Sequence, residues 1–293
     1  MITIGKKGNL INIFELRKAD TFSRLLPYIM AVCVYTAIVY FIMITTLHLH
    51  DVPPFKSILT LHTLLGAIIS LLMVFRTNTA YDRWWEGRKL WGGLVNNSRN
   101  LAVKMNAMLP RGNEKDRAFF KKIIPMFAHA LYLHLRAETT RLELDSDPHP
   151  EIPDLDHTKH VPNQIASVMA SKLNLMYNEG TLTGDQTIIL NAEFQSFLDV
   201  CGACERIKNT PIPYSYSTFI KKFIFLYIMT LPFGLVFTLT YFSIPIVGIV
   251  FYVLASLEMI AEEIEDPFGT EFNDLPLEKI AENIKKNVEH ILM

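Results

Sequence analysis

The sequence predicts an all-α membrane protein, with four membrane helices joined to a helical region in water. Three observations predict it. Residues 25–49, 57–75 and 223–257 carry no Asp, Glu, Lys or Arg. At residue 76 an apolar run passes without a break into Arg76-Thr77-Asn78-Thr79-Ala80-Tyr81-Asp82-Arg83-Trp84-Trp85, so one helix leaves a hydrocarbon phase and continues in water. Between residues 76 and 217 no stretch shows the period-two alternation of a strand. With half of its residues hydrophobic, 19% charged and a mean hydropathy of +0.23, the chain must gather its apolar residues into blocks.

Crossing a hydrocarbon core of about 30 Å takes roughly 20 apolar residues, so the first two runs supply one span each. The third is too long for one. Ser243-Ile244-Pro245 follows the aromatic pair Tyr241-Phe242, and proline blocks continuation of a helix, so a tight turn there divides the run into two antiparallel spans. The resulting organisation is a cytosolic segment over 1–24, spans one and two over 25–75, a helical cytosolic region over 76–217, spans three and four over 218–258, and a cytosolic turn and helix over 259–293.

Basic flanks set the orientation. Arg17, Lys18 and Arg24 precede span one, Arg76, Arg83, Arg88 and Lys89 follow span two, and Lys208, Lys221 and Lys222 precede span three. The opposite connections, 48–56 and 242–245, hold one lysine, so the positive-inside rule places both termini and the middle region in the cytoplasm. No short apolar segment with a small-residue cleavage site opens the chain, so the first span is expected to serve as its own address. A net charge of -1 without a long basic tract gives no reason to expect nucleic acid as a partner.

The cytosolic helices are expected over 76–108, 114–141, 163–177 and 183–207, the last capped by Thr183 or Asp185. A proline-rich loop fills 145–162. Asp266-Pro267-Phe268-Gly269 forms a turn after span four, and Asp274-Leu275-Pro276 opens a final amphipathic helix that ends near His290.

Chemistry-bearing residues are sparse. His62 alone lies well inside a span; a proton site or haem would need a partner at similar depth, so a hydrogen-bonded packing residue is expected. Cys201-Gly202-Ala203-Cys204 has no second pair to complete a tetrahedral set and reads as two buried helix residues. Ala67, Leu71 and Phe75 fall at i, i+4 and i+8 on one slowly drifting helix face. Such a stripe is either ordinary helix packing or, with several copies around an axis, a stack of apolar rings that gates by dewetting. The acidic residues Glu258, Glu262, Glu263, Glu265 and Asp266 end span four, where the helix macrodipole disfavours carboxylates, so cations must compensate. Arginines of the long helix are one source. A divalent cation held by Glu271, Asp274 and carbonyls of the Pro267-Phe268-Gly269 turn is the other, although Asp274 also reads as a helix cap.

Phe75-Arg76-Thr77-Asn78-x-x-Tyr81-x-Arg83-Trp84-Trp85, Cys201-Gly202, Ile212-Pro213-Tyr214 and Glu265-Asp266-Pro267-Phe268-Gly269 together resemble a bacterial bestrophin homologue, in the right order over essentially the whole chain. The resemblance implies a homopentameric ion channel around a central pore, with four membrane helices per subunit. It implies neck rings at Ala67, Leu71 and Phe75, and a cytosolic constriction at Leu182 in Gly180-Thr181-Leu182-Thr183. The calcium clasp of animal members is reduced to Glu271 and Asp274, so no cofactor is required and a calcium ion is the option those two residues leave. The implied partners are copies of the chain, membrane lipid and permeant monovalent ions, in the cell inner membrane. Cations are favoured by the bacterial branch and by carboxylates at the cytosolic mouth; anions are the alternative.

Two rival functions remain at this level. A membrane-anchored helical enzyme or sensor would use the cytoplasmic histidines and the CxxC. Its ligand spacing is poor: His129 and His134 are five apart and diverge on a helix, and His157 and His160 lie beside a proline-rich loop. A secondary transporter would lack intramembrane charges, and four spans fit inverted repeats badly.

Overall fold

The computed structural model describes residues 21–48, 53–136, 151–152, 155–156 and 158–293; the segments 1–20 and 49–52, the end of the helix expected over 114–141, part of the proline-rich loop and His157 lie outside the described residues. Every regular element among the described residues is helical. Three stretches are long and apolar enough to cross a membrane, Thr21–Thr46, Ser57–Met108 and Tyr214–Glu265. In lipid a backbone must satisfy its own hydrogen bonds, which is why these charge-free runs are helices. The chain divides into two compact units, one containing Trp84–Thr210 and Asp266–Met293, the other the residues up to Arg83 with Pro211–Glu265.

The apolar unit holds α1 (Thr21–Tyr40), which ends in a π turn over Phe41–Thr46, the first part of α2 (Pro53–Met108), α6 (Tyr214–Thr230), α7 (Pro232–Leu239) and α8 (Ser243–Glu265). Arg24 pairs with Glu263 at 2.7 Å and Lys221 with Glu262 at 2.8 Å. The starts of α1 and α6 therefore meet the end of α8, and both run antiparallel to it. Gly248 lets α1 approach: a Cβ there would stand 2.7 Å from the Cys33 sulfur. The reversal between α7 and α8 comes earlier than the expected Ser243-Ile244-Pro245. It falls on the short 3₁₀ turn Thr240–Phe242, where Thr240 takes φ +50°. Pro245 instead sits in the first turn of α8, where a missing N–H leaves no hydrogen bond unmade.

The second unit gathers the rest of α2 with α3 (Glu114–Leu135), α4 (Val161–Asn178), α5 (Gly184–Asn209) and α9 (Leu277–Ile291). Its core is closed, with Trp91, Phe119, Phe127, Met169, Phe197 and Val288 all inaccessible or nearly so. Local signals set the helix starts. Asn113 accepts from the Asp116 amide, and Thr183 and Gln186 form a reciprocal capping box at α5. α9 buries Leu277, Ala281, Ile284 and Val288, the expected amphipathic spacing. A buried cation, Lys172, reaches Asp116 at 2.6 Å and Glu151 at 2.7 Å and braces α4 against α3.

α2 is one uninterrupted helix of 56 residues, about 84 Å long at 1.5 Å per residue. The expected passage from apolar to charged sequence without a break at Arg76 is therefore real.

Candidate functional site

Within the apolar unit α2 buries one stripe: Ile69, Met73, Arg76 and Ala80 are each at most 2% exposed. Residues two positions away lie about 200° around the helix. Ala67, Leu71 and Phe75 are consequently on the opposite face, and the chain leaves them uncovered, Leu71 at 57% and Phe75 at 56% exposure. The exposed hydroxyls near them bond back to the helix's own carbonyls: Ser70 donates to Gly66 at 2.7 Å and Thr79 to Phe75 at 2.9 Å. The outer face of this segment is thus mainly apolar with a few hydroxyls, and residues 57–75 put no charged side chain on it.

Gly66 serves the buried side, since a Cβ there would stand 3.0 Å from the Tyr227 hydroxyl. His62 is the packing residue its sequence position suggested. It is buried, with Nδ1 2.9 Å from the Ile58 carbonyl and Nε2 2.9 Å from the Thr230 hydroxyl.

At the charged end of the stripe, arginine answers the acidic run of α8. Arg76 Nη2 lies 2.8 Å from Glu265 and its Nε 3.6 Å from Glu258. Arg83 donates to the Glu265 carbonyl at 2.9 Å, one of the orphan acceptors at a helix C-terminus. The Ile212 amide donates to the Glu265 carboxylate at 2.8 Å, which ties the Ile212-Pro213-Tyr214 segment to the end of α8.

The turn that follows packs on α2 through a missing side chain. A Cβ on Gly87 would lie 3.1 Å from both Pro267 and Phe268, and Phe268 is fully buried. Trp84 Nε1 donates to the Asn273 carbonyl at 2.9 Å. Asp274 is buried; its carboxylate accepts from the Glu271 amide at 2.5 Å and stands where a Gly269 Cβ would be 2.7 Å away. The Pro267 carbonyl accepts from the Leu275 amide at 2.9 Å. Calcium takes six to eight oxygen ligands. This loop uses Asp274 Oδ2 and the Pro267 carbonyl in its own closure, and the Glu271 side chain stands at the surface, so the two carboxylates supply few of the oxygens that ion takes.

Leu182 is placed differently from the expected constriction. It is 2% exposed and part of the protomer core, because the Leu182 amide donates back to the Met176 carbonyl at 3.2 Å around Gly180 at φ +73°. Packing takes its side chain away from any outward-facing position; Glu179, Gly180 and Thr183 are what this turn exposes.

Cys201 and Cys204 are buried free thiols. Desolvation, with the Glu205 carboxylate beside it, pushes the Cys201 thiol up to about 12, and burial also raises Cys204. Neither is a thiolate at neutral pH. Of the tryptophans, Trp91 is absorbed by the chain's own core while Trp85 keeps 46% exposure. His129 and His134 diverge as their spacing requires, but His134 meets His160 and Glu205, a convergence of three helices that no linear spacing announces.

Residues 1–290 match the family described as bacterial/fungal bestrophin protein. A voltage-dependent anion channel-forming protein of Nostoc sp. is 36% identical over 254 residues, 85% of this chain and 82% of that protein. One of the same description from Synechocystis sp. is 36% identical over 230 residues, 77% and 75% of the two chains. A crystal structure of a mutated bacterial bestrophin homologue from Klebsiella pneumoniae superimposes with a TM-score of 0.79 at 26% identity, covering 92% of this chain and all of the other.

Proposed function

Because the chain belongs to the bacterial and fungal bestrophin family, we propose that it is a passive channel for monovalent ions, assembled from five copies around one pore lined by α2. The observation that carries this reading is the uncovered apolar face Ala67, Leu71 and Phe75, set opposite the buried stripe of the same helix. Five such faces around an axis make three stacked rings that resist wetting, and a partly dehydrated ion crosses them only when they widen. Ala67 is small, so the barrier rests on Leu71 and Phe75.

Four passes per subunit follow when the reversal at Thr240–Phe242 is counted as a hairpin within the membrane. Both termini and the polar unit then lie in the cytoplasm, at the inner membrane. Leu182 anchors its turn, so a second constriction there would use the exposed Glu179 to Thr183 backbone. No cofactor is needed for conduction, and calcium at Glu271 and Asp274 is dispensable: removing it with a chelator leaves the currents unchanged.

The expectation of cations rests on the resemblance to the bacterial branch and on carboxylates at the cytosolic mouth. Those of α8 are engaged by Arg24, Arg76 and Lys221, so little of their field is left to attract cations. The relatives named as anion channels favour the opposite sign for the carried ion. Reversal potentials in asymmetric salt across a planar bilayer decide the sign. In the same bilayer, Leu71→Ala and Phe75→Ala each raise conductance; unchanged currents in both would remove these side chains from the gate. The relatives are named as channel-forming proteins rather than enzymes, and nothing in the geometry favours a transporter.

A further inference from the structure

His134 in the last turn of α3, His160 at the start of α4 and Glu205 in α5 come from three separate elements of the polar unit. His134 Nε2 lies 2.7 Å from Glu205 Oε1, and His160 Nε2 contacts the same oxygen. The two imidazoles are 4.4 Å apart between centroids, and the three donor atoms all lie within 4.8 Å of one another. Each side chain keeps between 27% and 31% of its surface open, so one side of the cluster is reached from solvent.

We propose that His134, His160 and Glu205 bind one divalent transition metal ion of the zinc class, with water in the remaining position. Two imidazole nitrogens and a carboxylate oxygen are the donor set of a zinc site that keeps an open coordination position, and imidazole suits zinc and its neighbours rather than calcium or magnesium. Zinc bonds of 2.0–2.2 Å put donor atoms about 3.4 Å apart in a tetrahedron, so the cluster reaches that geometry by small side-chain movements.

The surroundings position the ligands. Lys208 donates to the His134 carbonyl at 3.3 Å and to that of Leu135, which fixes the helix end carrying His134. His160 Nδ1 accepts from the Asn163 amide at 3.2 Å and caps α4. Ligation through Nε2 moves the ring proton to Nδ1 and exchanges that cap for the metal bond, so the ion competes with a hydrogen bond of the metal-free form. A bound ion would pin α3, α4 and α5 at one point. This is binding on the cytosolic region, independent of whether the chain conducts.

The test uses the full chain, purified in detergent and stripped with a chelator, then titrated with zinc against a chromophoric competitor and with cobalt by absorption spectroscopy. One zinc per chain is expected, with a cobalt spectrum typical of nitrogen and oxygen ligands and no thiolate charge-transfer band. Glu205→Gln, which keeps shape and volume, and His134→Ala each weaken binding by roughly tenfold or more, while His129→Ala on the same helix leaves it unchanged. Where His134→Ala fails to fold, Glu205→Gln and the wild-type cobalt spectrum still decide. No uptake by the folded wild type, or equal uptake by Glu205→Gln, would reduce the cluster to a hydrogen-bonded staple and overturn the proposal.

Discussion

The two ends of α2 meet different solvents with one backbone. Before Arg76 the helix leaves Leu64, Leu71, Val74 and Phe75 more than half exposed and buries only a narrow stripe. After Trp84 the pattern inverts: Trp91, Leu94, Leu101 and Met105 are fully buried, and Lys89, Arg99 and Asn100 face outward. The aqueous half buries most of its apolar residues within one chain, with Trp85 and Val103 left about half exposed. The other half leaves apolar surface that the protomer itself does not cover, which suits lipid and other copies of the chain. Mutations should therefore separate cleanly, those in the second half acting on stability and those in the first on conduction.

The largest stability loss is expected at Trp91→Ala, about 3–5 kcal/mol for a fully buried indole, read as a fall in the thermal midpoint of the purified protein. Arg76→Ala should come close, because it strands Glu258 and Glu265 at the end of α8 without their cation; removing one partner of a buried pair costs about 3–5 kcal/mol. A wild-type midpoint in Trp91→Ala would break the contrast, and one in Arg76→Ala would show that the buried pair adds little stability. Gly269→Ala forces a Cβ against the Asp274 carboxylate and should cost about 1–3 kcal/mol.

The Lys172 cluster sharpens the comparison by pH. Burial opposes charge at both groups. The hydrogen bonds of Lys172 to Asp116 and Glu151 nevertheless raise the ammonium above its ordinary 10.5, and those of Glu151 to Lys115 and Lys172 lower its carboxyl below 4.5. A raised lysine contributes stability that is complete below 10.5 and is lost as pH climbs through the folded value. A depressed carboxylate contributes above 4.5 and loses it as pH falls through the folded value. Lys172→Met should thus flatten both the alkaline and the acid limb of the stability profile; an unchanged profile would show that the cluster contributes nothing. The smallest stability effect is expected at Leu71→Ala, within about 0.5 kcal/mol because the side chain is exposed.

Much of this was legible in the sequence because it is local. Charge-free runs mark the spans, Thr183 is one of the two caps the sequence offers for α5, and the amphipathic pattern after Pro276 marks α9. The hairpin was misplaced because proline stops a helix that precedes it and starts one equally well, and Pro245 does the second. The burial of Leu182 was not legible, because a motif position says nothing of which way a side chain turns, and the Gly180 bend sends it into the core. His134, His160 and Glu205 meet only once three helices have packed, so no spacing along the chain could show them.

The account depends most on α2 facing water at Leu71 and Phe75. With Cys33, Cys201 and Cys204 replaced by alanine, Leu71→Cys and Phe75→Cys channels in a planar bilayer would be exposed to a charged, membrane-impermeant thiol reagent. The account predicts an abrupt, lasting change in current in both. Current that stays constant while the reagent is present, with both thiols still unmodified afterwards, would contradict it and return that face to lipid.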